Sequence, residues 1–229
     1  GGLVGRTRAS ITDATASGEV TTDGQRVGGL VGYLDAHSNE EVRNVTATGN
    51  VSAGGQYVGG LVGYVDQNSG IDEVTMSDAH ATGDVNTTNS GSNAYVGGLV
   101  GRFHESRDLT GVSATGDVTS VTGSYVGGLI GRLQMENGNQ IVNNVSATGN
   151  VTTSGIYVGG LIGSHEDGQT IRNVTATGDV LTAGDYVGGL VGRTRASITD
   201  ATASGEVTTD GQRVGGLVGY LDAHSNEEV

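Results

Sequence analysis

The sequence predicts an all-β fold, a parallel β-solenoid (β-helix) with one coil of about 30 residues per repeat. The first observation is a G-G-L-[VI]-G block that begins at Gly1, Gly28, Gly59, Gly97, Gly127, Gly159, Gly188 and Gly215, with spacings of 27, 31, 38, 30, 32, 29 and 27. The second is the segment [AS]-[TS]-G-[DNE]-V that follows each block. From its Gly (Gly18, Gly49, Gly83, Gly116, Gly149, Gly178, Gly205) to the next block takes 10 residues in five cycles, 11 in one and 14 in one. From block to that Gly the distance ranges from 17 to 24. One side of each cycle is thus fixed and another carries insertions, as stacked coils require. The third observation is composition: 43 Gly, no Pro, no Trp and 4% aromatics cannot fill a thick globular core, but can fill a thin one shared between neighbouring coils.

Residues 188–229 repeat residues 1–42 letter for letter, an offset of 187. The expected organisation is therefore a single continuous array over 1–229, built on a 187-residue unit of six repeats. Targeting segments are expected outside this stretch, because Gly1 falls mid-pattern.

Within a cycle, Asn44-Val45-Thr46-Ala47-Thr48 alternates polar and apolar, the period of a half-buried strand. Val45 and Ala47 are expected inside, with Asn44, Thr46 and Thr48 outside. Gly49-Asn50 reads as a turn in which both residues tolerate positive φ, and Val51 resumes the buried face. The same grammar recurs over 144–151 and 173–180. Tyr57-Val58-Gly59-Gly60-Leu61-Val62-Gly63 reads as a second strand with a Gly pair inside it, the facing of Leu61 left open. Variable loops are expected at 33–44, 64–78, 102–112, 132–144 and 164–173. Helical periodicity is missing, a propeller blade needs more residues per cycle, and the leucine-rich L-x-x-L-x-L run is absent. At about 4.8 Å per layer, six coils span roughly 29 Å.

There are 25 acidic residues against 11 basic ones, every basic one an Arg, for a net charge of −14. That balance excludes nucleic acid and anionic membrane surfaces as partners and suggests a salt-rich setting that screens self-repulsion. With no Cys there are no disulfides or thiolate metal sites. No run reaches the ~18 apolar residues of a membrane span.

The core Gly29-Leu30-Val31-Gly32, repeated at Gly60–Gly63, Gly128–Gly131 and Gly160–Gly163 and followed by A-T-G-[DN]-V, resembles the GLUG repeat. That resemblance covers the whole chain. It implies a non-catalytic region of a large bacterial or archaeal surface protein, such as an adhesin or a flanking region of an immunoglobulin A peptidase. The H-E-x-x-H zinc signature of the peptidase is absent: His104-Glu105 and His165-Glu166 lack the second His.

Candidate site residues fall in columns. Arg26, Tyr57, Tyr95, Tyr125, Tyr157, Tyr186 and Arg213 each precede a block and should stack, as a structural tyrosine ladder or an aromatic strip for sugars. Six N-x-[ST] sequons, at Asn44, Asn50, Asn86, Asn144, Asn150 and Asn173, are candidate N-glycosylation sites on an extracellular face. The pairs Thr15/Ser17, Thr46/Thr48, His80/Thr82, Ser113/Thr115, Ser146/Thr148, Thr175/Thr177 and Thr202/Ser204 form the kind of ladder that ice-binding faces use. Acidic stretches at Asp66–Glu73 and Glu166–Gly168 offer oxygens for Ca²⁺, but without a Ca²⁺ motif solvated loops are the expected reading. The five His (37, 80, 104, 165, 224) are dispersed and no catalytic or cofactor motif stands out. The expected role is non-enzymatic: an extracellular fibre or stalk that partners itself, end to end or by lateral bundling. Alternatives are an adhesin whose variable loops take a cell-surface or glycan ligand, and an ice-binding protein.

Overall fold

A computed structural model describes residues 1–67, 74–88, 91, 93–104, 106–135 and 141–222. Four parallel sheets run the length of the stack. We name them by their strands in one coil: sheet IV holds Tyr57–Gly59, sheet I Val62–Gln67, sheet II Val74–Ala81 and sheet III Val85–Thr87. Among the described residues, sheet I has eight successive strands and sheets III and IV seven each. Each strand pairs in parallel with its equivalent one coil away, for example Val4↔Val31↔Val62↔Val100↔Ile130↔Ile162↔Val191↔Val218 in sheet I. The result is the parallel β-solenoid that the block spacing predicts, and no helix occurs among the described residues.

Two thin cores fill the cross-section. Leu30, Val31 and Leu34 of one coil pack against Val42, Val45 and Ala47 between sheets I and II. Val51, Ala53 and Val58 pack between sheets III and IV. The block leucines Leu30, Leu61, Leu99, Leu129, Leu161 and Leu190 stack fully buried. Each is worth about 1.5–3 kcal/mol by burial alone.

The segment Tyr57–Gly63 is not one strand. It breaks at Gly60-Leu61 into Tyr57–Gly59 of sheet IV and the start of Val62–Gln67 of sheet I. Val58 therefore enters one core, while Leu61 and Val62 enter the other. The Gly pair makes this corner because any Cβ would overlap backbone: at Gly59 the carbonyl of Val62, at Gly60 that of Gly98. Across the coil, a Cβ at Gly60 would also lie 3.1 Å from the Ala81 methyl, and the Gly29–Ala47, Gly128–Ala147 and Gly160–Ala176 pairs repeat that approach at 3.1–3.2 Å. The two halves of the motif recur together because the block's second Gly and the Ala of A-T-G share one close contact.

The Gly49-Asn50 turn also needs correction. Neither residue has positive φ; a Cβ on Gly49 would overlap the Gly18 carbonyl one coil below, so the column is glycine for close stacking. A column of left-handed residues lies five positions earlier, at Asp13, Asn44, Asp78, Gly111, Asn144, Asn173 and Asp200, with φ between 48° and 66°. Each creates a bulge that lets residues three apart, such as Val42 and Val45, both face inward while Arg43 and Asn44 face out. Asn and Asp tolerate this conformation better than other L-residues. The bulges fall in register, so pairing in sheet II resumes on both sides of each, although at Gly111 the strand itself splits into Ser106–Thr110 and Ser113–Ala114.

The variable loops are shorter than the sequence suggests, because strands extend into them. Val31–Ala36 and Glu41–Ala47 reduce 33–44 to the four residues 37–40, and Ile162–His165 and Ile171–Ala176 reduce 164–173 to 166–170. Strands likewise cover parts of 64–78, 102–112 and 132–144, within which residues 68–73, 105 and 136–140 lie outside the description. No helix among the described residues is long and apolar enough to cross a membrane.

Candidate functional site: a tyrosine–arginine face

Stacking turns fixed sequence offsets into surface columns. The residue before each Val-Gly-Gly-Leu run in sheet IV gives Arg26, Tyr57, Tyr95, Tyr125, Tyr157, Tyr186 and Arg213. Five residues after each block's first Gly comes a second column in sheet I: Arg6, Tyr33, Tyr64, Arg102, Arg132, Ser164, Arg193 and Tyr220. The two lie side by side.

Ring centroids in the first column are 5.1, 4.9 and 5.1 Å apart from Tyr57 to Tyr157, with planes within 16° of parallel. Tyr186 tilts by 36°, and its own backbone has the left-handed φ of 54°. Tyr64 joins the columns, stacking on Tyr57 at 4.6 Å and on Tyr33 at 5.4 Å. Offset stacking of this kind contributes about 0.5–1.5 kcal/mol per pair beyond burial. Arginines close the stack: Arg26 lies 4.4 Å from the Tyr33 ring centre and 5.9 Å from that of Tyr57, and its repeat copy Arg213 lies 4.7 Å over Tyr186. Within the stack both faces of each ring are covered. Stacking in this way leaves no free flat face of the kind a sugar ring requires between Tyr57 and Tyr157.

A third column, two residues further along sheet I, supplies counter-charges. Arg6 and Arg8 both donate to Asp35, the latter at 2.8 Å. The copies Arg193 and Arg195 reproduce this on Asp222 at 3.0 and 2.9 Å. Arg132 pairs with Glu166, and His104 with Asp66 at 3.1 Å. Burial raises the Asp35 carboxyl, but hydrogen bonds from Arg6, Arg8 and Tyr33 outweigh it and hold the group well below the usual carboxylate range. Burial, followed by the neighbouring carboxylates, pushes the Tyr33 and Tyr64 hydroxyls above the usual phenol range, so they stay protonated donors. Eight of the 11 arginines (6, 8, 26, 102, 132, 193, 195, 213) belong to this one face of an otherwise acidic chain.

The sequons occupy two ladders and one strand, and all six Asn are exposed. Asn44, Asn144 and Asn173 are left-handed bulge residues, and the Asn44 amide donates to Asp13 at 2.6 Å. Asn50 and Asn150 sit at the corner between sheets II and III, in the column Asn50, Asp84, Asp117, Asn150, Asp179, Glu206. There each side-chain oxygen accepts the backbone N–H of the next residue in the column, at 2.7–2.9 Å. Asn86 lies mid-strand in sheet III beside Ser52 and Thr119. The Thr/Ser ladder is in register on sheet II, interrupted by His80, whose ring nitrogen is 2.8 Å from Ser113 Oγ. Of the histidines, His165 is fully buried in the core, and burial lowers it to about 4. His224 and most of the Asp66–Glu73 stretch lie outside the described residues. No group of three or more metal-ligating side chains occurs among the described residues.

Sequence reasoning missed the sheet I columns, the arginine caps and the side-chain acceptor ladder. Aligning every block on its first Gly would have exposed the columns, since their offset never changes.

The model of the GLUG motif matches residues 23–52, 154–181 and 183–208. Three stretches of the chain are GLUG repeats. The chain is similar to Halomucin of Haloquadratum walsbyi, 67% identical over 164 residues, which cover 71% of this chain and 2% of Halomucin. The chain thus matches a small fraction of that relative's length. No solved structure matches it.

Proposed function

We propose that this chain is a non-enzymatic structural length of an extracellular fibre or surface stalk, extended by stacking coil upon coil. The observation that carries this reading is the join between repeat units. Residues 188–214, the copy of 1–27, seat on the preceding coil through Val191 on Ile162, Ile198 on Ile171, Val207 on Val180 and Val214 on Val187. A second unit therefore begins with no change of register and no linker. Its partner is then its own continuation, and the exposed Asn columns are the surface offered for glycosylation. Alignment to 2% of Halomucin supports placing the array within a much longer surface protein.

Immunoelectron microscopy of intact cells of the source, with antibody raised against the folded chain, tests the reading. Surface filaments of constant width decorated along their length are expected. Label confined to the cell interior, or to compact secreted particles, overturns it. A shift of intact mass on enzymatic deglycosylation, with modified peptides spanning Asn44, Asn144 or Asn173, is the expected companion result.

A further inference from the structure

All eight tyrosines of the chain belong to one unbroken path of ring contacts: 33–64, 64–57, 57–95, 95–125, 125–157, 157–186 and 186–220, with centroids 4.6–5.5 Å apart. Tyr220 is the copy of Tyr33, so the Tyr186–Tyr220 contact carries the path across the join into the next unit. Competing sites for one-electron oxidation are few. The chain has no Trp and no Cys, and its two Met, Met76 and Met135, are fully buried.

The path is also chemically directional. An oxidised phenol must give up its proton, so a hole rests most stably where a base already accepts the hydroxyl hydrogen. Tyr33 donates to Asp66 at 3.1 Å and to Asp35 at 3.2 Å, and its ring stacks on that of Tyr64 at 5.4 Å. No tyrosine hydroxyl outside this pair bonds a carboxylate among the described residues. We propose that the stacked tyrosines carry one-electron oxidation along the solenoid axis and deliver it to the Tyr33–Tyr64 pair. This inference does not depend on the fibre reading.

A one-electron oxidant of the azidyl-radical class takes an electron from a ring and is reduced to its anion, while the phenolic proton leaves to solvent. Along the stack a hydrogen atom is exchanged between neighbours, one O–H breaking as the next forms. At the pair, the electron leaves Tyr33 for the adjoining Tyr64 phenoxyl while the Tyr33 hydroxyl proton moves to the Asp66 carboxylate, and the Tyr64 phenolate so formed takes a proton back from solvent. Two such events leave phenoxyls on Tyr33 and Tyr64 that join through ring carbons, each ring ending one hydrogen short, as a dityrosine bridge between adjacent coils.

The test is low-dose pulse radiolysis of the 229-residue chain in azide, with products mapped by mass spectrometry. In the unsubstituted chain, dityrosine and ring oxidation should concentrate on Tyr33 and Tyr64. Tyr125→Phe keeps the ring and the stack but removes the exchangeable hydrogen, so part of the damage should move to Tyr157 and Tyr186. Asp66→Asn removes the proton acceptor and should spread damage along the column. Circular dichroism melts establish that each variant is folded. Damage that simply follows ring exposure, highest at Tyr220, and that Tyr125→Phe leaves unchanged, overturns the proposal.

Discussion

At the scale of single residues, the stack makes harsh demands on a few positions and almost none on their copies at its edge. A Cβ on Gly149 would overlap the Gly116 carbonyl in the coil below, whereas one on Gly18, in the first coil, meets nothing within 4 Å. Gly149→Ala should therefore cost more than about 3 kcal/mol in denaturant unfolding, and Gly18→Ala less than about 0.5 kcal/mol. At the left-handed bulge, Asn173→Ala should cost about 1–2 kcal/mol while Asn173→Gly is near neutral. His165 is buried in the neutral state, held down to about 4 against about 6.5 in an unfolded chain. The unfolded state then binds the extra proton between those values, so stability falls as pH drops from about 6.5 to about 4. His165→Leu, matching Leu133 in the same column, should remove that slope from a pH series of unfolding midpoints.

At the scale of the elements, backbone pairing within the sheets is supplemented by side chains that repeat the sheet's own hydrogen bonding at a corner. Asp117 accepts the Asn150 N–H at 2.7 Å, as Asp84 accepts that of Asp117 at 2.9 Å. Asp117→Ala should lower stability by about 1 kcal/mol and Asp117→Asn by less than half of that, read from unfolding midpoints. This ladder shows where sequence reading ran out. Strand existence, the inward Val45 and Ala47 and the stacking of cycles were legible, because alternation and block spacing encode them directly. The corners were not. Glycine at Gly49 reads as freedom to turn, yet its purpose is close approach to a coil about 30 residues away, which no local pattern reveals. The Arg–carboxylate pairs were hidden for the same reason, since Arg6 and Asp35 become neighbours only once the register of stacking is known.

At the scale of the whole molecule, stacking places like charges above one another. Asp84 and Asp117 follow at the spacing of a coil, and the chain carries −14 overall. Screening should relieve that repulsion, so the melting temperature should climb with added NaCl over the range where the Debye length falls from about 10 Å to about 3 Å. A falling melting temperature would mean that the Arg–carboxylate face dominates instead. Above all, coils must continue flat through the unit join. Small-angle scattering of tandem chains carrying one, two and three copies of the 187-residue unit measures this directly. A rod of unchanged cross-section, lengthening by roughly 29 Å with each unit of six coils, is expected. A cross-section that grows with copy number, or a profile of separate globules on a flexible chain, contradicts continuous stacking.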